Sequence, residues 1–237
     1  MEIRLILLVG LLVPTFSFLG LDTLVSSSLY SPESGWTFGD RLPWRILYAY
    51  GEIPAYAAAF LSAALLIRGC IRQHAARYRR FSLYCLLALL IGPVLIVNVI
   101  LKDHWGRPRP RQVDSFGGNM VYQYVWQPGE TGRGKSFPCG HAAAGFFLIA
   151  PYFALRHRRP GVARTFLTVG ICYGSLMGMG RIAQGGHFLS DVIGSGVIVY
   201  AVGLSLSNLL GLGRSAQTGR AASAECLPMV AEGEAQG

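Results

Sequence analysis

Long apolar runs alternate with short polar stretches from one end of the chain to the other. Six runs stand out, at residues 5–21, 46–67, 81–101, 141–155, 165–180 and 188–210. An apolar run of ~20 residues can cross a hydrocarbon layer as a helix, so the pattern predicts an all-α bundle of six transmembrane helices. The run at 5–21 follows a weak charged start, Glu2 offsetting Arg4, and lacks a clear small-residue cleavage site, so it is expected to be a retained helix rather than a cleaved signal peptide. The fourth run is short, so it starts before residue 141 or tilts little. The fifth is glycine-rich, which suits close helix packing. Residues 1–210 form one domain, and the small, polar segment 211–237 reads as a disordered cytoplasmic tail.

The polar stretches differ in kind. Residues 68–80 carry five arginines and residues 156–164 four, without other features. Helix parity puts both on one side with the tail, and arginine-rich loops mark the cytoplasmic side. Loops 22–45, 103–137 and 181–187 then face outward. Trp36, Phe38 and Trp44 read as interfacial aromatics or as holders of an acyl chain, and Glu52 as a carboxylate at the headgroup level, the favoured reading, or facing the bundle interior.

Composition agrees with a membrane protein. Of 237 residues, 52% are hydrophobic and 14% charged, with mean hydropathy +0.41; soluble domains carry about 25% charged residues. The net charge of +9 invites a nucleic-acid reading, but the cations are dispersed between apolar spans instead of lining one face. No nucleic acid or obligate protein partner is expected, only the bilayer and a substrate within it. The five cysteines are far apart with no CxxC pair, which excludes a zinc knuckle or a disulfide scaffold.

The outward stretches hold the candidate chemistry. Residues 102–110, KDHWGRPRP, place Lys102, His104, Arg107 and Arg109 directly after an apolar run. Pro138-Cys139-Gly140-His141 opens the fourth span, and residues 181–191 contain Arg181, His187 and Asp191. Parity brings all of these to one membrane boundary. Lys102, Arg109 and Arg181 suit a phosphoryl group, whose transfer spreads negative charge over oxygens that arginine forks match. Main-chain N–H groups at Cys139 and Gly140 can bind an anion at the helix start, and His141 can protonate a leaving oxygen. His187 and Asp191, four apart, are expected to share a helix face, the carboxylate fixing the imidazole tautomer and leaving a nucleophilic nitrogen. Arg107, Arg111, Arg133 and Lys135 could recognise a second phosphate or a sugar, or be ordinary loop charges.

With these motifs in order, the chain resembles the type 2 phosphatidic acid phosphatase (PAP2) superfamily. The pattern K-x6-RP is matched by Lys102 and Arg109-Pro110, PSGH by residues 138–141, and SR-x5-H-x3-D by Gly180-Arg181, His187 and Asp191. The resemblance implies a metal-independent, cofactor-free reaction at the outer face of the cytoplasmic membrane. His187 would form a phosphohistidine, His141 protonate the leaving oxygen and Asp191 orient His187. Lys102, Arg109, Arg181 and the Cys139–Gly140 main chain would hold the phosphate. The substrates it implies are lipid phosphates: lipid A or undecaprenyl diphosphate favoured by the large 103–137 loop with Tyr122, Tyr124 and Trp126, then phosphatidylglycerol phosphate and phosphatidic acid. Phosphotransfer to a second lipid, haloperoxidase chemistry on the same motifs and a catalytically silent scaffold are the alternatives. Cys139 and Gly180 stand where the family has serines; Cys139 gives up a hydroxyl donor and offers an oxidisable thiol.

Overall fold

The computed structural model describes residues 2–72 and 78–212, which are helical apart from loops and two isolated bridges. The helices are α1 (Glu2–Phe18), α2 (Leu21–Ser27), α3 (Leu42–Ile71), α4 (Arg79–His104), α5 (Gly140–Leu155), α6 (Pro160–Ala183) and α7 (Leu189–Leu209). The tail expected to be disordered lies, beyond Leu212, outside the described residues, as do residues 73–77 of the first arginine-rich loop.

The all-α expectation holds, and each apolar run becomes a helix in the expected order. The span count needs qualification. Four helices, α3, α4, α6 and α7, are long and apolar enough to cross a membrane, and α1 with α2, bent by 63°, makes a fifth if the pair is one span. The sixth, α5, is about 24 Å long at ~1.5 Å per residue, short of a ~30 Å hydrocarbon core. Its first turn is sunk among the other helices instead of reaching the surface: Gly140 lies against the Asn98 and Lys102 side chains of α4.

The burial pattern suits a multi-pass membrane protein. Leu7, Leu11, Phe60, Leu61 and Val169 point outward, while Ser17, Ser62, Ser82, Ser195 and Ser207 are buried. In lipid, small residues bring helices together and polar ones join them. Gly170, Gly174 and Gly178 line the face of α6 toward its neighbours. A Cβ at Gly170 or Gly174 would meet Ile149 or Phe146 of α5, and one at Gly178 would meet Val192 of α7. The buried Tyr84 hydroxyl lies 3.0 Å from the Ala150 carbonyl and 3.1 Å from that of Gly203, joining α4 to α5 and α7. Within α4, residues 90–101 wind as a π-helix around Pro93. Proline lacks the N–H that an α-helical turn needs, and the Asn98 side chain donates to the Pro93 carbonyl at 2.9 Å. This sets the register that delivers Asn98 and Lys102 to the site.

Gly174→Leu is expected to force α5 and α6 apart and cost about 1–3 kcal/mol of stability, the usual range for overpacking. Thermal unfolding in detergent reads this as a lowered midpoint, with Gly161→Ala, where a Cβ meets nothing within 4 Å, as the unchanged control.

Candidate active site

The loops expected on one side do meet there. Asp22 of α2, Arg107 of the 103–137 loop and Ser190 of α7 bond to one another, the Arg111 N–H donates to the Gly185 carbonyl at 3.1 Å, and Gln184 donates to the carbonyls of Trp44 (3.3 Å) and Gly39 (3.4 Å). Between them is a cavity of about 440 Å³, lined by Lys102, Arg109, Arg111, Arg181, Arg45, Asp40, Tyr48, Gln184, His141 and His187.

Each inner cation is positioned by a different element. Lys102, the last turn of α4, donates to Asn98 Oδ1 at 3.3 Å. A Cβ at Gly140 would strike Asn98 Oδ1 and crowd Lys102 Nζ, so a larger residue here would displace both side chains from the site. Arg181 ends α6; its Nη1 donates to Gln184 Oε1 at 2.5 Å, and its guanidinium lies over the Tyr48 ring at 4.6 Å. Arg109 opens a short turn in which its own N–H donates to Gln112 Oε1 at 2.9 Å. The Nε groups of Arg109 and Arg181 are buried without a hydrogen-bond partner among the described residues. Burial, with Arg111 and Arg181 nearby, pulls the Arg109 pKa below its ordinary value. Buried donors without partners beside mutually repelling cations fit an oxyanion of multiple charge.

His187 is buried at the wall of this cavity. Its Nδ1 lies 2.5 Å from the Ser136 carbonyl, which accepts the Nδ1 proton and leaves the Nε2 lone pair free. Burial, then Arg181 and Lys102, push its pKa well below 6.5, so the ring is neutral at physiological pH. The expected approach of Asp191 is there, Nδ1 standing 3.9 Å from Asp191 Oδ2, but it is too long for a hydrogen bond. Residues four apart share a face only inside a helix, and His187 precedes the extended N-cap residue Phe188. Asp191 instead accepts the Phe188 N–H at 2.7 Å and the Ser136 hydroxyl at 2.6 Å, both on Oδ2. It holds the residue whose carbonyl holds the histidine.

Asp191 Oδ1 is taken by Arg107, whose Nη1 reaches it at 2.5 Å and Ser190 Oγ at 2.8 Å. Arg107 Nη2 pairs with Asp22 Oδ2 at 2.8 Å, and Nε donates to the Gln123 carbonyl at 3.0 Å. All three charged side chains have zero exposure. Arg107 is therefore an internal clamp, not a headgroup contact. Lys135 pairs with Asp103 and Arg133 with Glu130 on exposed surface, so of the four additional cations Arg111 alone lines the cavity. Tyr122 bonds Ser17 at 3.0 Å, and Trp126, stacked on Tyr124, approaches Phe18 at 6.5 Å; these aromatics dock their loop on α1 and α2 and are not in the cavity wall.

Two expectations at the second motif are corrected. The Cys139 N–H is taken, donating to Ser195 Oγ at 2.8 Å, so it cannot hold phosphate. The Cys139 thiol is fully buried, and burial raises its pKa to about 11 against the opposing pull of the Ala142 N–H, Arg181 and Lys102. A buried neutral thiol is inert to the oxidation its sequence position suggests. His141 lies in the cavity wall, its ring stacked on Tyr48 with centroids 5.0 Å apart and its Nδ1 3.7 Å from Glu52 Oε1. Asp22, Glu52 and Ser136 are among the polar residues to which sequence reasoning gives no role in the site, Glu52 reading first as a headgroup-level charge. For the first two, a lone carboxylate at the edge of an apolar run is the signal that could have found them.

A helical membrane bundle with five cations and two histidines around one cavity suits a phosphoryl-handling membrane protein. Residues 81–212 match the PAP2 superfamily, and the chain belongs to that family. Similar proteins are the lipid A 4'-phosphatases of Francisella tularensis subsp. novicida (39% identical over 52% of this chain and 55% of that protein), Rhizobium etli (35%, over 74% and 68%) and Rhizobium leguminosarum (33%, over 74% and 76%). The match thus spans about half of the Francisella protein. No solved structure matches the chain.

Arg107→Leu would leave Asp22 and Asp191 buried without a counter-ion. It is expected to cost about 3–5 kcal/mol, read as a large fall in the thermal midpoint of the detergent-solubilised protein. N-ethylmaleimide should modify the exposed Cys70 and spare Cys139 until the protein unfolds, as peptide mass mapping would show.

Proposed function

We propose that this chain is a phosphatase that removes a phosphate from lipid A at the outer face of the cytoplasmic membrane, through a phosphohistidine formed on His187. The observation that carries the reading is the pinning of His187 Nδ1 on the Ser136 carbonyl, which leaves Nε2 free at the wall of a cavity bearing Lys102, Arg109 and Arg181. The naming of three relatives as lipid A 4'-phosphatases favours lipid A, and its 4'-phosphate, over undecaprenyl diphosphate. Arginine-rich residues at 156–159 and near Arg68 and Arg72, at the far ends of the helices from the cavity, support its facing away from the cytoplasm.

In the first step His187 Nε2 attacks phosphorus while the bond to the sugar oxygen breaks, and that oxygen takes a proton from His141. In the second, water attacks the phosphohistidine, gives its proton to His141 and frees His187 and inorganic phosphate. The three cations hold the equatorial oxygens throughout, stabilising charge where the transition state concentrates it. Asp191 acts through Ser136, not on the ring. The phosphate is held by side chains and the Gly140 end of α5, without Cys139.

Detergent-purified protein is expected to release inorganic phosphate from lipid A faster than from undecaprenyl diphosphate, phosphatidylglycerol phosphate or phosphatidic acid. EDTA should not change the rate, and His187→Ala should lower it by at least about a thousandfold. Transfer of the phosphate to a second lipid without phosphate release, or activity surviving in His187→Ala, overturns the reading. Because the free-enzyme pKa of His187 lies below 6.5, the acid limb of kcat/KM is expected below pH 6.5.

A further inference from the structure

Helix α3 contributes a carboxylate to the site from outside the family-matching region, which begins at residue 81. Its register is interrupted at Gly51–Glu52. At that point its main chain is pressed onto α6: the Tyr173 hydroxyl donates to the Gly51 carbonyl at 2.9 Å, and a Cβ on Gly51 would run into Met177. Glu52, the next residue, is anchored at one oxygen and faces His141 with the other. Oε2 accepts the Tyr56 hydroxyl at 2.5 Å, and Oε1 lies 3.7 Å from His141 Nδ1. Tyr48, one turn earlier, stacks on the same imidazole with an interplanar angle of 16°.

The other groups around His141 disfavour a charged imidazole. Arg45 from α3, Lys102 from α4, Arg181 from α6 and Arg109 and Arg111 from the 103–137 loop share its cavity, with neutral His187 across it. Asp40 also lines that cavity, but among the described residues Glu52 is the carboxylate in ion-pair reach of His141. A general acid surrounded by cations loses its proton unless an anion sits beside it.

We propose that Glu52 is a positioning residue for the general acid, opposing the cations that draw the proton from His141 and turning the ring so that its Nε2–H faces the leaving oxygen. The inference rests on the reading of His141 as the acid. When the phosphorus–oxygen bond breaks, the Nε2 proton passes to the sugar oxygen and His141 becomes neutral; water returns a proton to Nε2 as the phosphohistidine is hydrolysed. Glu52 stays a carboxylate in both steps. Tyr48 confines the ring to one plane, and Tyr56 keeps Glu52 from swinging toward Arg181.

The test compares wild type, Glu52→Gln, Tyr56→Phe and His141→Asn on two substrates: lipid A, whose sugar oxygen needs a proton to depart, and p-nitrophenyl phosphate, whose leaving group does not. Glu52→Gln is expected to lower kcat on lipid A by about ten- to a hundredfold with KM nearly unchanged, and to lower it less than about threefold on the aryl ester, since general acid catalysis contributes roughly 10²–10⁴ only where a proton is transferred. Its alkaline limb on lipid A should move to lower pH, a readout that does not need the soluble ester. Tyr56→Phe, which keeps the carboxylate and loses its anchor, should shift the same quantities less and in the same direction. Equal losses on both substrates, or an unmoved alkaline limb, in Glu52→Gln overturn the proposal while a substrate-selective loss in His141→Asn preserves the acid reading. Equal losses in His141→Asn overturn that reading and the role of Glu52 with it.

Discussion

The site depends on one buried arginine. Arg107 joins Asp22 of α2 to Asp191 of α7, and Ser190 fills the space between them. Three formal charges with no exposure are tolerable only when paired and hydrogen-bonded on every side. Burial alone would weaken the charge on Arg107, but Asp191 and Asp22 outweigh it and hold its pKa above the ordinary value. The clamp fixes the start of α7, the outer end of the first bent helix pair and the loop after α4 in one arrangement. Ser136 and then His187 follow from it through the second oxygen of Asp191.

Around this neutralised centre the cavity is deliberately unbalanced. Lys102, Arg109, Arg111, Arg181 and Arg45 face it with Asp40 as its lining carboxylate, and two guanidinium Nε groups remain unpaired. The two regions lie one residue apart along the chain, Arg107 and Arg109 flanking Pro108. The restricted backbone of this Arg-Pro-Arg-Pro segment sends one guanidinium into the protein and leaves the other at the cavity.

Much of this was legible in the sequence. Hydrophobic runs located the long helices but not α2, which lies in the expected 22–45 loop, and three short motifs located His141, His187, Lys102, Arg109 and Arg181, because helix parity alone brings their ends together. What was not legible depends on pairing across the sequence. Nothing local marks Asp22 as the partner of residues 85 and 168 positions away, in Arg107 and Ser190. Glu52 looked like a headgroup-level charge because its partner, His141, lies on another helix. The spacing of His187 and Asp191 brings them within 3.9 Å but not into a direct hydrogen bond, because the helix begins between them. Cys139 was placed correctly at the start of α5, but its N–H was assigned to the ligand when Ser195 already takes it.

The acceptor that sets the His187 tautomer is a main-chain oxygen. A carboxylate in that place could be protonated, rotated away or deleted by a single codon change; a peptide carbonyl can be none of these while the loop keeps its course. Every side chain at position 136 brings the same oxygen, so an alanine scan would remove the hydroxyl that braces the loop and pass over the atom that matters. The trait is inherited through the path of the chain, which makes it invisible to residue-by-residue comparison even though the Ser136 hydroxyl braces that path on Asp191.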